Sequence, residues 1–573
     1  VTNRASRSVS VVDPVAGKEL RSISAGVEPY GIALSADQRS LLVTSSATGE
    51  LLVFSTARLA LTARIKLDDA WPKAVAAHPD GARAYVSYLH GRGVDEVDLQ
   101  AQRKTRTLAL PAKGTGLPGR LMGRGEPQRI PNLAVSLTVS PLGNRLHVAH
   151  VMADTGEARS GGEAMGGYGL GAANPLVATI STFDLTTGQL SRPNPDFTKN
   201  EGDISVISQS DQAAQLLAQP VALVHDPKRS RLLMVAMGSD RVMSFDSASS
   251  DPMTTAWASH EVNEAPEGLA VTADGATAFV HNAHTHDVSV LNLSGELAKP
   301  GGPARWTQAT SSTEPFARSP LPATAQAGRR LFTFALKAEV GGPKRFACAS
   351  CHPDGRHDGL VWHVGAGPRQ TPILADRMMG TGPFNWLGTE TELTANIHQT
   401  IKRLGGKGVS ETEQKSMAEY MQLYMPAPDN PYRDTERALV AEGRALFESE
   451  QTGCADCHTP GRLTDGQSHD VGTTSKAEWS LWERFSKDPA KRTQEQARQR
   501  QMGMDPEPIQ KAPVAYDTPS LRHLWASGPY FHDGSATGLR ELLTTGNKGD
   551  RMGKTSQLSS HQVGAMVAYL RTL

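Results

Sequence analysis

Between about residue 8 and residue 300 the chain alternates apolar and polar positions in short runs, each ended by a turn-forming pair. One unit recurs: an apolar run, a turn of the D-G kind, a second apolar run, another turn and a third run. It is clearest in PYGIALSADQRSLLVTSSATGELLVFS (29–55), PKAVAAHPDGARAYVSYLHGRGVDEVDL (72–99) and PEGLAVTADGATAFVHNAHTHDVSVLNL (266–293). Weaker copies are NLAVSLTVSPLGNRLHVAHV (132–151) and PVALVHDPKRSRLLMVAMGSDRVMSFD (220–246). Alternation with period two predicts antiparallel strands with one buried face. A repeat of about 45 residues with about four strands per copy predicts propeller blades.

These copies resemble the YVTN-type seven-bladed propeller family. That resemblance implies an all-β propeller of seven blades over 1–298. On it, the opening strands SVSVVDPVAGKELRSIS (8–24) are the outer part of a blade that the end of the domain completes. Insertions interrupt the pattern around 111–128 and in the Gly-rich stretch 155–175. Long loops on a rigid scaffold are expected to be contacts or lids.

A Pro/Ala/Ser-rich linker, 299–325, leads into a half with helical periodicity. That half is doubled. Gly328-Arg-Arg-Leu-Phe332 precedes Cys348 as Gly443-Arg-Ala-Leu-Phe447 precedes Cys454, and Thr371-Pro-Ile-Leu374 is echoed by Thr518-Pro-Ser-Leu521. Gly382-Pro-Phe-Asn-Trp-Leu-Gly388 is echoed by Gly528-Pro-Tyr-Phe-His-Asp-Gly534. Each copy closes on an amphipathic helix with late aromatics, Tyr420 and Tyr424 in one and Tyr569 in the other. Thr389-Glu-Thr-Glu392 has the pattern of a capping box opening a helix with Leu393, Ile397, Ile401 and Leu404 buried and Gly405-Gly406 at its end.

Lys+Arg and Asp+Glu both number 59, so no basic excess points to nucleic acid or anionic lipid. No apolar run is long enough to span a membrane. The chain begins at Val1 with no charged-then-apolar leader, which reads as a mature protein whose export signal has been removed. Only four cysteines occur, all in Cys348-Ala-Ser-Cys351-His352 and Cys454-Ala-Asp-Cys457-His458. C-x-x-C-H is the attachment signature of haem c: two thiols add to the vinyl groups and the adjacent imidazole reaches the iron. The alternative is one structural zinc site built from both C-x-x-C pairs. Two haems c, with His352 and His458 as proximal ligands, suit a repeated module, and such attachment implies a periplasmic or secreted chain. The domains read as a propeller (1–298), a linker (299–325), a first haem c domain (326–432) and a second (433–573). Near the first motif, His398 and His363 are rival distal-pocket residues, His357 reads as solvent-facing in a polar turn, and Trp386 reads as an electron relay.

The residues from about 325 to 573 resemble the bacterial di-haem cytochrome c peroxidase and MauG family. The two haem motifs carry this, with Gly367-Pro-Arg-Gln-Thr-Pro372, Trp386, Thr518-Pro-Ser-Leu-Arg522 and Gly528-Pro-Tyr-Phe-His-Asp-Gly-Ser535. The resemblance implies an all-α tandem di-haem domain. Its first haem reacts with peroxide, its second is a six-coordinate electron-transfer haem, and Trp386 lies between them. It also implies a calcium ion at Gln370, Ser527 and Pro529, where the family usually has Asn and Thr at the first two. Two departures matter. The family's sixth ligand to the second haem falls on Gly546, which cannot ligate, so Met552 is the expected ligand, with His561 and Tyr569 behind it. The family's distal Gln and Glu fall near Asn396 and Gly406, so that pair is absent. Three activities follow as expectations. One is a peroxidase fed by a small cytochrome c or cupredoxin. A second is a MauG-like enzyme oxidising a docked protein partner, and a third is a non-catalytic electron-transfer protein.

Overall fold

The aspartates in the turns explain why the strands stop where they do. Asp80 Oδ1 accepts from the amides of Ala82 (2.9 Å) and Arg83 (3.2 Å), and Asp226 Oδ1 does the same for Lys228 (2.8 Å) and Arg229 (3.2 Å). Such side-chain turns reverse the backbone without another strand. The computed structural model describes the chain apart from residues 14, 68–70, 92, 112–128, 157–174, 192–216, 295–304, 310, 343–344, 365–366, 491–492, 495–496 and 498–513. Most of the two insertions expected at 111–128 and 155–175 lies outside the described residues.

The described strands form a six-bladed propeller. Blade one holds Thr2–Asn3, Ser8–Asp13 and Lys18–Ser24; blade two runs from Pro29–Leu34 to Ala60–Lys66, and blade three from Pro72–Ala77 to Arg103–Ala109. Blade four runs from Ile130–Val139 to Gln189–Leu190, blade five from Pro220–His225 to Ala256–Glu261, and blade six from Pro266–Val271 to Asp287–Asn292. Seven blades were expected, and the opening strands were expected to be completed by the domain's end. Instead Thr2–Asn3 fills the inner edge of blade one, pairing with Ser8–Asp13. The returning chain goes elsewhere: Arg305–Gln308 adds in parallel to Ala256–Glu261, and Ser311–Ser312 completes blade six. Lys18–Ser24 is left as an edge, and its Lys18, Glu19 and Arg21 are exposed charges of the kind that discourage further pairing.

Successive blades share apolar layers. Leu42, Leu51 and Ile65 of blade two meet Val86, Tyr88 and Val97 of blade three, all below 2% exposure. Equivalent layers join blades three to four, four to five and five to six. The chain divides into two compact units, Val1–Asp154 with Leu176–Pro320, and Thr155–Pro175 with Leu321–Leu573.

The second unit contains α1 (Ala323–Thr333), α2 (Cys348–Cys351), α3 (Leu393–Arg403), α4 (Glu411–Glu419), α5 (Arg437–Phe447), α6 (Cys454–Cys457), α7 (Lys476–Ser486), α8 (Leu539–Leu543) and α9 (Ser560–Thr572). It is not purely helical: Val361–Val364 pairs with Gly367–Gln370, and Ser468–His469 with Tyr516–Asp517. The doubling is structural. α1 crosses α4 at Gly328, where a Cβ would lie 2.0 Å from the Ser416 carbonyl oxygen; α5 crosses α9 at Gly443, where it would lie 1.9 Å from that of Ala565. Phe332 meets Tyr420 at 5.7 Å between ring centroids, and Phe447 meets Tyr569 at 5.3 Å. Both G-P turns have cis prolines, closed by bridges from Phe384 to Glu390 and from Tyr530 to Ala536. α3 buries Leu393, Ile397 and Ile401 as expected, but Thr389–Glu392 is not its capping box. The Glu390 carbonyl is taken by the Phe384 amide in the bridge (2.7 Å), so the helix starts only after Glu392.

Candidate functional site

α2 is a single turn whose start is tied by the Ala347 amide donating to Ser350 Oγ (3.1 Å). It ends with the His352 amide on the Cys348 carbonyl (2.8 Å). His352 Nδ1 is 3.0 Å from the Arg356 carbonyl, so Nδ1–H donates there and the Nε2 lone pair is left for a metal. Burial holds this imidazole neutral, lowering its pKa to about 4 although the Arg356 and Pro372 carbonyls act the other way. Cys348, Cys351 and His352 open on a cavity of about 330 Å³, within the range of cofactor sites. Trp386, Asn396 and Arg403 line it too.

The second motif repeats this arrangement. His458 Nδ1 is 3.0 Å from the Leu463 carbonyl, and its ring packs 6.3 Å from that of Phe447. Among the described residues the two C-x-x-C pairs do not gather into one metal-ligating cluster. The one such cluster there is Cys457, Asp465 and His469, inside the second module alone. A four-cysteine zinc site therefore does not fit, and a C-x-x-C-H haem site in each module does.

Of the other expected site residues, Trp386 and Gln370 line the cavity, and His398 and His363 do not. His398 is two residues from Asn396 and from Thr400, which line it, and so lies on the opposite side of α3, where its Nδ1 meets Gln414 Nε2 (3.3 Å). His363 alternates with the cavity-lining Val364 on its strand and points the other way. His357, expected in solvent, is 1% exposed: its Nε2–H donates to the Ala526 carbonyl (2.6 Å), tying the first module to the second.

The junction between modules is a polar cluster that sequence reading missed. Trp386 Nε1–H donates to the Gln370 carbonyl (2.9 Å), and the Gln370 amide donates to the His532 carbonyl (2.6 Å). Trp386 and His532 stand at equivalent places in the doubled G-P turns, and their rings meet edge to face at 6.4 Å. His532 stacks on Tyr516 at 3.8 Å, and its Nε2–H donates to Glu478 (3.1 and 3.2 Å). Arg369 (2.8 Å) and Tyr516 (3.2 Å) also donate to Glu478 Oε1. Burial pushes the Glu478 carboxyl up, but His532, the Ser475 amide and Arg369 outweigh it and leave it at about 2. The only sequence signal was the capping pair Ser475 and Glu478, which forms (Ser475 amide to Glu478 Oε2, 3.0 Å) while the other carboxylate oxygen reaches the junction.

No protein-family model matches the chain. Among curated proteins, it is 29% identical over 265 residues to hydrazine synthase subunit gamma of Kuenenia stuttgartiensis, covering 40% of this chain and 72% of that one. It is 25% identical over 351 residues to the methylamine utilization protein MauG of Methylorubrum extorquens, covering 53% and 89%. A second MauG, from Methylophilus methylotrophus, is 24% identical over 258 residues, covering 38% and 70%. The chain is a homologue of MauG and of the hydrazine synthase gamma subunit. Both belong to the di-haem cytochrome c family. A hydrazine synthase structure from Kuenenia stuttgartiensis superposes at 16% identity with a TM-score of 0.33, covering 51% of this chain and 91% of that one, too loosely to carry an argument.

Met552 lies in a half-buried loop held by Asn547, whose Oδ1 accepts the Met552 amide (2.9 Å) and whose Nδ2 donates to the Gly553 carbonyl (2.7 Å). That loop is pressed onto the second haem motif: the Lys554 amide donates to the Thr452 carbonyl (2.8 Å), and a Cβ at Gly553 would lie 3.3 Å from Cys454 Sγ. Tyr569 is engaged with Phe447, and His561 is an exposed partner of Glu442 (3.0 Å). Gln370 Nε2 is 3.4 Å from the Ser527 carbonyl, a spacing that two oxygens on one calcium ion could adopt with the amide turned. The Arg377 guanidinium bonded to Ser527 Oγ (2.8 Å) is an unfavourable neighbour for such an ion. Among the described residues no helix is long and apolar enough to cross a membrane.

Proposed function

We propose that the chain is a periplasmic or secreted di-haem c-type oxidoreductase that reacts with hydrogen peroxide in its first module and takes up electrons through its second. The observation that carries this is the pair of C-x-x-C-H turns, each with its histidine Nδ1 on a backbone carbonyl, one opening on a cavity. Haem c bound at each motif supplies a redox-active iron, and the first supplies a coordination position for peroxide.

Cys348 and Cys351 anchor the group in the cavity wall, as Cys454 and Cys457 do in the second module. Asn396, Gln399, Thr400 and Arg403 are the polar side chains that α3 turns toward the cavity, so they orient peroxide by hydrogen bonding in place of the absent Gln and Glu. Met552 closes the second site, a reading supported by the contact of its loop with Thr452 and Cys454. Trp386 and His532 bring one ring from each module into contact for electron transfer. Calcium at Gln370, Ser527 and Pro529 would bind weakly beside Arg377.

The electron donor is a small cytochrome c or a cupredoxin. A second reading, a MauG-like enzyme oxidising a docked protein partner, is favoured by the two MauG relatives. Stopped-flow spectra of the haem-loaded protein mixed with peroxide test both. Fast bleaching followed by steady turnover of reduced cytochrome supports the first reading. A long-lived oxidised state that reduced cytochrome does not discharge supports the second. An oxidised protein with no high-spin ferric band that binds neither cyanide nor carbon monoxide sinks both.

A further inference from the structure

The doubling lets the two modules be compared position by position. Between haem motif and T-P-x-L motif the first module runs through 353–370, whereas the second runs through the far longer 459–517. Part of the extra chain is α7, and α7 delivers Glu478. Its side chain is fully buried, with 0% exposure. A buried carboxylate is costly unless it is paired and hydrogen-bonded. Glu478 meets that condition by gathering Arg369 from the first module and His532 and Tyr516 from the second.

The first module is shaped to admit it. Gly367 has φ +114°, and a Cβ there would lie 2.6 Å from Glu478 Cγ. Any other residue would strain the hairpin and push the carboxylate out. The effect falls on His532. Stacking on Tyr516 fixes the plane of the imidazole, and Glu478 on Nε2, with Thr473 Oγ1 3.4 Å from Nδ1, fixes its rotation within that plane. The ring that meets Trp386 is thus held on three sides.

We propose that Glu478 is a positioning residue for electron transfer between the modules: its carboxylate, carried in by α7, holds the His532 ring against Trp386 and so maintains the aromatic contact across the junction. This rests on the di-haem reading above. One electron passes from the second module to the first, with no bond made or broken and no proton moved at His532 or Glu478.

The test uses the full-length haem-loaded protein, half-reduced and holding carbon monoxide, and follows redistribution of the electron between the haems after photolysis. Glu478→Gln, which keeps the shape and removes the charge, and Gly367→Ala, which displaces the carboxylate, are each expected to slow redistribution about tenfold or more. Absorption spectra and midpoint potentials of both haems should stay unchanged, a combination that a general loss of structure would not produce. If Trp386→Phe slows redistribution and neither of the other variants does, Glu478 is only structural; the proposal fails and the di-haem relay stands. If none of the three changes the rate, the relay itself fails. Should Glu478→Gln not fold, Glu478→Gln with Arg369→Leu removes both charges together, and a wild-type rate in that double variant overturns the proposal equally.

Discussion

Which nitrogen a histidine offers to a metal is decided by what the other nitrogen is doing. His352 and His458 both spend Nδ1 on a carbonyl within the next few residues, so the short loop after each motif decides which ring nitrogen is offered. His398 follows the motifs of the first module and is chemically apt, but 100° per residue turns it away from the wall that Asn396 and Arg403 face. We therefore expect His398→Ala to leave the rate of the peroxide reaction unchanged, and Arg403→Leu to slow it about 10²-fold or more. Stopped-flow rates on the two variants decide this, and the reverse order would restore His398. Met552→Ala should convert the second haem from low to high spin without touching the first. An unchanged oxidised spectrum would remove Met552 as a ligand. The helix angle that separates His398 from Arg403 was legible in the apolar stripe of α3; the cavity that gives the angle meaning was not.

At the scale of elements, the helix crossings at Gly328 and Gly443 set how closely each module's first and last helices approach. The G-R-x-L-F repeat marked these glycines as equivalent, and the structure gives the reason: a methyl group at either would strike a backbone carbonyl, which cannot yield as a side chain can. Gly443→Ala should therefore cost about 3 kcal/mol or more, above the usual range for overpacking. Denaturant unfolding of the second unit would read this, and a loss below about 1 kcal/mol would mean that the helices can shift apart freely. The closing helices begin at true capping boxes, Ser410 with Glu413 and Ser559 with Gln562. Thr389–Glu392 has the same spelling but lies in the turn closed by the Phe384–Glu390 bridge. Local pattern cannot tell these cases apart, because a long-range backbone hydrogen bond decides whether the box is used.

Across the whole molecule, the propeller carries a titration of its own in blade four. Burial lowers His147 to about 3, with the charges of His225 and Arg145 adding to it. Burial lowers His150 to about 4 against a weaker pull from the Val151 carbonyl. Both bind a proton more readily once unfolded, where imidazole titrates near 6.5, so their contribution is complete above about pH 6.5 and is lost as the pH falls toward about 4 and then 3. Amide exchange in Arg145–Ala153 and Leu176–Asp184 should accelerate between pH 7 and pH 4.5 beyond the intrinsic pH effect. A variant with both histidines changed to Gln should lack that excess, and an identical excess in the variant would refute the assignment.

The blade repeat, the doubling of the helical half and the two C-x-x-C-H turns are legible along the chain, because each rests on short-range spacing. A strand with its turn, a short glycine motif and a C-x-x-C-H turn are each specified within a few residues. Other features depend on groups far apart in sequence that meet only in the folded chain. The first strands make their own blade because Thr2–Asn3 pairs with Ser8–Asp13 while the returning chain pairs with blades five and six, so the described strands make six blades. His357 is buried because Ala526, in the other module, supplies its acceptor. Glu478 matters because α7 carries it to Arg369 and His532, and no local pattern could assemble that trio.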